Sequence, residues 1–307
     1  GKMKSVHQVQ SDIQSASIET GLYKIRDRVN QLFFGMLMID EQLKQNELYK
    51  KDIQNGLNRV NAALANGTDY KSNADKLNAE LLRADQRAIE LSAGRKAYTE
   101  ILSQFIQVPV QEKTQLQLPQ QQTVTAQINR PEVHLYVARD NSIDAQKKLL
   151  NARNLPKLGV FFQGGWGQPS PVNLLSKDFS SYYIAGIRLN WSVSGLYTIH
   201  KEKSILELDR KMNAAQKETF LFSTNASISQ ITAEIEKLKL LLSGDQKIVD
   251  LRTSIKSRAQ AQLENGVITT NDYLKEINAE DQARQNKLLH EMQLLLAQYS
   301  LQFTTGN

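Results

Sequence analysis

Apolar side chains recur at three- and four-residue steps over most of the chain, which is the spacing of one face of an α-helix. The pattern predicts a first long helix over residues 5–65 and a matching one over residues 201–264. At about 1.5 Å per residue, a helix of this length spans roughly 90 Å, more than a compact core requires. Such amphipathic helices pack against partner helices at shallow crossing angles.

The two long helical patterns stop at the same dipeptide. Asn66-Gly67 ends the first pattern, and Asn265-Gly266 ends the second. Asn-Gly is a strong turn signal, and glycine after the last helical residue suits a left-handed cap. Each turn is followed by another helical pattern, so the sequence predicts two αα-hairpins that are structural repeats of one another.

A hydroxyl residue followed three positions later by aspartate comes after each turn. The pairs are Ser72 with Asp75 and Thr269 with Asp272, and they lie 197 positions apart (269 − 72). This spacing predicts a capping box at the start of each return helix. In a capping box the hydroxyl accepts a backbone N–H bond while the carboxylate reaches back to the first residue.

The remaining segments complete a five-part organisation. A polar, proline-punctuated stretch without periodicity reads as a loop or strap, and Pro131 opens the helix that follows it. The predicted divisions are a first helical hairpin at 5–106, the strap at 107–129, a helix at 130–156, a β-hairpin at 157–194 and a second helical hairpin at 195–303.

The β-hairpin is the part of the chain with period-two alternation. In its second strand one set of alternating residues is apolar, and the other set contains Arg188 and Asn190. An alternation of about ten residues is the length of a membrane-spanning strand, although a soluble hairpin packed on one face has the same pattern. In a membrane barrel, Arg188 and Asn190 would face the lumen, and the lipid-facing set would include Ile187, Leu189, Trp191 and Val193.

Composition narrows the classes of function. The net charge of +6 is modest and dispersed, which argues against nucleic-acid binding. The sequence contains no cysteine, which excludes disulfides and zinc–thiolate sites. The four histidines show no metal-ligand spacing, the serines no nucleophile motif, and the carboxylates read as solvated helix surface. We therefore predict neither a catalytic site nor a metal or cofactor.

Three stretches of the sequence resemble the TolC-like outer-membrane efflux family. One resembles its Gly-Val-Ile-Ser-x-x-Asp-x-Leu helical turn, one its Arg-Pro-Glu-Leu helix start, and one the strand that ends its barrel hairpin. With the duplication, the resemblance covers most of the chain. The stretches are Leu263-Glu264-Asn265-Gly266-Val267-Ile268-Thr269-Thr270-Asn271-Asp272-Tyr273-Leu274, Arg130-Pro131-Glu132-Val133 and Leu189-Asn190-Trp191-Ser192-Val193.

This resemblance implies a mainly α fold whose long helical hairpins form a periplasmic tunnel, with a β-hairpin that joins an outer-membrane β-barrel. It implies a homotrimer in the Gram-negative outer membrane that works with a periplasmic adaptor and, through it, an inner-membrane pump. The family has two barrel hairpins, so a first helix and hairpin are expected to precede residue 5.

The resemblance also implies where the partner and gate contacts lie. They are expected at the periplasmic tips of the helical hairpins, at Asn66, Gly67, Ser72, Asp75, Asn265, Gly266, Val267, Thr269 and Asp272. The function implied is a passive exit duct in a tripartite efflux or type I secretion system. The alternatives are a periplasmic adaptor, which would need further β domains, and a structural coiled-coil protein without channel activity.

Overall fold

The structure is a computed structural model that describes residues 2–111, 114–117, 127–168, 175, 177, 179–191 and 195–307. The fold is mainly α with one β-hairpin, as predicted, and no helix in these residues is long and apolar enough to cross a membrane. The elements are α1 (Lys2–Ala65), α2 (Lys71–Ile106), α3 (Pro131–Arg153), β1 (Lys157–Gly167), β2 (Ser180–Asn190), α4 (Gly195–Glu264) and α5 (Thr270–Thr305).

The chain divides into two compact units, and α1 and α4 contribute to both. Unit 1 consists of Gly1–Thr20 and Pro131–Phe220, and unit 2 consists of Gly21–Arg130 and Leu221–Asn307. The β-hairpin therefore belongs to unit 1, whereas both Asn-Gly turns belong to unit 2.

In unit 1, α3 and α4 run antiparallel and are joined by a ladder of ion pairs. Partner numbers fall along α4 as they rise along α3, which fixes the register of the two helices. Because exposed pairs of this kind contribute about 0–1 kcal/mol each, most of the stability comes from buried apolar residues such as Ile143 and Leu150. The pairs are Asp144–Arg210, Lys147–Glu207 and Arg153–Glu202, at 2.5–2.7 Å.

Unit 2 is organised around α1, which presents different faces to different neighbours. Leu32 and Met36 pack against Leu102 of α2, whereas Phe34 and Leu37 pack against Met292 of α5. A third cluster lies beside the turns and draws on α1, α2, α4 and α5 together. Its buried members are Ile53, Leu57, Val60, Ala74, Leu77, Ala259, Tyr273, Leu274 and Ile277.

The two strands pair along their whole length. They are antiparallel, with a register that runs from Lys157 opposite Asn190 to Gly167 opposite Ser180 without a bulge. The alternation predicted a strand that continues to residue 193. In the structure β2 ends at Asn190, and Val193 lies outside the described residues.

Candidate functional site: two interhelical turns and a β-hairpin

Both long helices end in the same backbone arrangement. Gly67 and Gly266 have φ angles of +70° and +67°. In each turn the glycine N–H bonds to the carbonyl three residues earlier, and the next N–H bonds to the carbonyl five residues earlier, at 2.8–3.1 Å. These two bonds define a Schellman motif, in which glycine accepts the left-handed conformation at little cost. The predicted role of glycine at both helix ends is confirmed.

The second turn is closed by the predicted capping box. The hydroxyl oxygen of Thr269 accepts the backbone N–H of Asp272 at 3.2 Å, and the carboxylate of Asp272 accepts the backbone N–H of Thr269 at 3.3 Å. The Thr269 hydroxyl also donates to that carboxylate at 2.7 Å. The hydrogen bond from the Thr269 hydroxyl has the largest effect on Asp272, and that from the Lys275 ammonium the next largest. Together they hold the pKa of Asp272 below its ordinary value.

The capping box predicted at the first turn, formed by Ser72 and Asp75, is wrong. Helix α2 begins at Lys71 and its N-cap residue is Tyr70, which makes no side-chain cap hydrogen bond. Ser72 therefore already lies inside the first helical turn, where its hydroxyl cannot serve as the cap. Ser72 and Asp75 are both exposed.

Asp69 organises the start of α2 instead. Its carboxylate accepts the backbone N–H of Tyr70 and the side-chain amide of Asn73, both at 2.6 Å. The Asn-Gly turns are 199 positions apart (266 − 67), so Tyr70 corresponds to Thr269 in the second turn. The motif spacing of 197 therefore aligned residues that are not structurally equivalent.

Both turns emerge at the same end of unit 2, because Leu64, Leu263 and Ile268 beside them pack on one shared core cluster. All nine predicted tip residues lie at this end, and eight of them are exposed, Asp272 being half-buried. Val267 is 69% exposed, and Tyr70 is 79% exposed. The end of unit 2 thus presents one large exposed side chain from each turn, next to helix ends closed by backbone hydrogen bonds.

Unit 2 also contains a buried charged network that was not predicted from the sequence. The ammonium of Lys256 is 2.6 Å from carboxylate oxygens of both Asp52 and Glu280. Glu280 also accepts hydrogen bonds from Thr253 at 2.7 Å and from Arg284 at 2.7 and 3.0 Å. The interpretation of all carboxylates as solvated surface is therefore wrong for Glu280, which is 2% exposed.

In this network, charge pairing affects the pKa values of Glu280 and Lys256 more than burial does. Burial favours neutral Glu280, but hydrogen bonds from Lys256, Thr253 and Arg284 together hold the pKa of Glu280 below its ordinary value. Burial likewise opposes the charge on Lys256, yet the bonds to Asp52 and Glu280 leave its pKa raised. Both groups are ionised at neutral pH, so the network is a set of paired charges linking α1, α4 and α5.

Two further polar contacts in unit 2 have no local sequence signal. The guanidinium of Arg130 lies 5.3 Å from the ring centre of Tyr23 and 5.1 Å from that of Phe303. Nδ1 of His290 lies 2.6 Å from the carboxylate of Asp245. The partners are 45 or more residues apart in sequence, which explains why spacing rules did not find them.

One face of the β-hairpin in unit 1 is apolar and open. The cross-strand pairs Leu158–Leu189, Val160–Ile187 and Phe162–Ala185 lie in successive rows of this face. The larger side chains of these rows are between 63% and 83% exposed, and Trp166 and Tyr183 extend the face at 77% each. The predicted grouping of Ile187 and Leu189 on one face is confirmed.

The opposite face holds Arg188 and Asn190, as the alternation predicted. Glycines recur along this face, and aromatic rings lie against two of them: an added Cβ at Gly186 would come within 2.8 Å of the Phe161 ring. Tyr182 covers Gly165 in the same way. This face is therefore polar and glycine-rich, with its large rings held against the backbone.

Trp191 lies just beyond the end of β2, where the cross-strand pairing has ended. Its indole N–H donates to the carbonyl of Asn154 at 3.2 Å, and the side chain is 48% exposed. The hydrogen bond ties the residue after the hairpin to the residue after α3. Alternation alone could not show this, because the partner comes from a different element.

Comparisons with known proteins give a consistent fold assignment. No protein-family profile and no curated protein matches the sequence, but solved structures match over the whole chain. The open state of the Neisseria gonorrhoeae MtrE outer membrane channel matches with a TM-score of 0.79 and 14% identity, covering 100% of this chain and 72% of that one.

An outer membrane protein and a further outer membrane channel match similarly. Vibrio cholerae VceC matches with a TM-score of 0.77 and 10% identity, over 100% of this chain and 76% of that one. The Campylobacter jejuni CmeC outer membrane channel has a TM-score of 0.75 and 11% identity, over 100% of this chain and 68% of that one. The chain therefore has the fold of the TolC-like outer-membrane channels.

Proposed function

We propose that this protein is a passive channel of the outer membrane that serves as the exit duct of a tripartite efflux or type I secretion system. One observation carries the proposal: a β-hairpin whose strands are eleven residues long exposes one continuous apolar face and keeps both of its charged residues on the other. Strands of this length, apolar outside and polar inside, are those of a membrane barrel.

The hairpin would be unstable alone in water. A two-stranded sheet is only marginally stable by itself. A contiguous face of large, exposed apolar side chains marks a contact with lipid or protein. In lipid, every strand edge must be paired. Within the described residues the sheet has two strands and hence two open edges, so further strands are needed to close a barrel.

The helices of unit 2 support assembly into a ring. Leu82 and Ile89 of α2 are 65% and 70% exposed, and Leu251 of α4 is 64% exposed. These α2 and α4 residues lie at a similar height along α5, because neighbouring α5 residues bond to both helices. Glu280 bonds to α4 and Asp281 to α2. Pairing Leu82 and Ile89 of one copy with Leu251 of the next is a head-to-tail contact, which forms a ring when the rotation between copies closes. We propose a homotrimer, the assembly that the sequence resemblance implies.

The turn end of unit 2 is the proposed gate and the contact with a periplasmic adaptor. Its turns are rigid, because Schellman motifs and the Thr269 capping box satisfy the helix-end groups, and they present Val267 and Tyr70 to solvent. The sites proposed here are Asn66, Gly67, Ser72, Asp75, Asn265, Gly266, Val267, Thr269 and Asp272.

The duct performs no chemistry in this proposal. Solutes would move through the lumen by diffusion, with the energy supplied by an inner-membrane pump that reaches the duct through the adaptor. No cofactor is required, and the neighbours of known structure are channel proteins.

The proposal is tested by fractionating outer membranes, measuring the mass of the detergent-extracted assembly and recording conductance after reconstitution into planar lipid bilayers. A trimer in the outer membrane that forms discrete conductance steps is expected. A water-soluble monomer or dimer without conductance would overturn the channel and favour a structural coiled-coil protein.

A further inference from the structure

The charged residues of the two strands are all of one sign. Lys157 and Arg188 are both cationic, and the strands contain no aspartate or glutamate. Lys157 pairs with Asn190, and Arg188 with Gly159 two positions further along β1. Because side chains alternate along a strand, Lys157 and Arg188 project from the same face, which is the polar one.

Both cationic groups are open to solvent and unneutralised. Lys157 and Arg188 are exposed, and among the described residues neither forms an ion pair. The Arg188 guanidinium lies 5.3 Å from the ring centre of Phe161, and this cation–π contact holds the charge in place without reducing it. The charge is therefore fixed in position and available to a passing ion.

The rest of the polar face leaves these charges prominent. The rings of Phe161 and Tyr182 lie against Gly186 and Gly165, so these aromatic side chains stay close to the sheet. Near the α3 end of the hairpin, Asn190 and Gly159 flank the two cations and carry no charge. Lys157 and Arg188 thus supply the charge on this part of the face, and both are exposed.

We propose that Lys157 and Arg188 make the membrane section of the channel selective for anions, so that it favours negatively charged solutes over cations of similar size. This inference rests on the proposed function, in which the polar face lines the lumen. Each copy in the assembly would then contribute two fixed cations to the same level of the pore. Rings of arginine and lysine are the arrangement that selects anions in other pores.

The physics also predicts how the selectivity depends on salt. A lumen with low-dielectric walls focuses the potential of fixed charges. The Debye length is about 10 Å at 0.1 M salt and about 3 Å at 1 M. The preference for anions should therefore be strong in dilute salt and weak in concentrated salt.

The experiment measures the chloride-to-potassium permeability ratio of single reconstituted channels from the reversal potential in a KCl gradient. We expect a ratio above one that rises as the mean KCl concentration is lowered. The double variant Lys157→Gln/Arg188→Gln should reduce the ratio by roughly two- to fivefold. The charge-conserving variant Lys157→Arg/Arg188→Lys is the matched control and should leave it unchanged.

Since only conducting channels are scored, misassembled variants do not affect the ratio. Channels that conduct but prefer potassium, or whose ratio is the same in the double glutamine variant, would overturn the inference and leave the proposed function intact. An absence of any conductance from the wild-type protein would instead overturn the proposed function itself.

Discussion

The ammonium group of Lys256 lies 2.6 Å from a carboxylate oxygen of Asp52, a residue 204 positions earlier in the chain. The same ammonium bonds to Glu280 at 2.6 Å. One cation thus joins the first long helix to both helices of the second hairpin. Because a half-satisfied buried network is costly, this contact is expected to set how firmly the two hairpins are held together within unit 2.

Replacing Lys256 by methionine keeps the length of the side chain and removes its charge. Asp52 and Glu280 then lose a cation in a site where the Glu280 side chain is 3% exposed. Breaking a buried pair in this way should cost about 2–3 kcal/mol, slightly below the usual range because Arg284 still pairs with Glu280. Hydrogen exchange of the α4 amides beside Lys256 measures the loss as a smaller local opening free energy.

The matched control for this variant is Lys237→Met, on the same helix. Lys237 pairs with Glu234, and the two side chains are 57% and 43% exposed, so the loss should stay within about 0.5 kcal/mol. Equal losses for the two variants would show that the network contributes no more than a surface pair.

The network also predicts a pH dependence. Glu280 has a folded-state pKa below the ordinary value of 4.5, so the unfolded chain takes up this proton first as the pH falls. The stability that Glu280 contributes is therefore complete above pH 4.5 and is lost as the pH falls through the lower folded value. The variant Glu280→Gln should be less stable at neutral pH, and its melting temperature should approach that of the wild type in acid. A difference that stays constant down to about pH 2 would contradict the assignment.

These contacts show where sequence reasoning reached its limit. Helix periodicity and the Asn-Gly turns predicted the ends of the long helices to within six residues, because both are local signals. Lys256, Asp52 and Glu280 lie on three helices, and each of them separately resembles an ordinary surface charge. The arrangement exists only once α1, α4 and α5 are packed, and no spacing rule connects residues separated in this way.

The two turns provide a direct comparison of a cap with a sequence that only resembles one. Thr269→Ala removes the hydroxyl that accepts the Asp272 N–H and should cost about 1 kcal/mol of local stability. Ser72→Ala is the matched control: Ser72 lies inside α2 and caps nothing, so its effect should stay within about 0.5 kcal/mol. Hydrogen exchange in the first turns of α5 and α2 measures both. A larger effect at Ser72 would mean that α2 begins later than the structure places it.

The wrong prediction of a cap at Ser72 has a physical cause. The sequence Ser-x-x-Asp satisfies the capping-box pattern, but Asp69 supplies an earlier acceptor for the exposed N–H of Tyr70, so the helix begins before the serine is reached. The Asn-Gly turns repeat at 199 positions and the Ser/Thr-x-x-Asp motif at 197. That two-residue difference was the signal in the sequence that only one of the two motifs could be a cap.

The two faces of the hairpin should respond differently to the same substitution. Ile187 is 72% exposed on the apolar face, and Gln163 lies on the polar face three rows along the sheet. If the apolar face contacts lipid, Ile187→Lys should cost roughly 2–4 kcal/mol near the bilayer midplane, whereas Gln163→Lys places the same charge towards the lumen and should be tolerated. The measurement is the fraction of each variant recovered from outer membranes as the folded, heat-modifiable assembly. Similar recovery of the two variants would mean that the faces of the hairpin have the same environment, and lipid contact would then no longer explain the exposed rows.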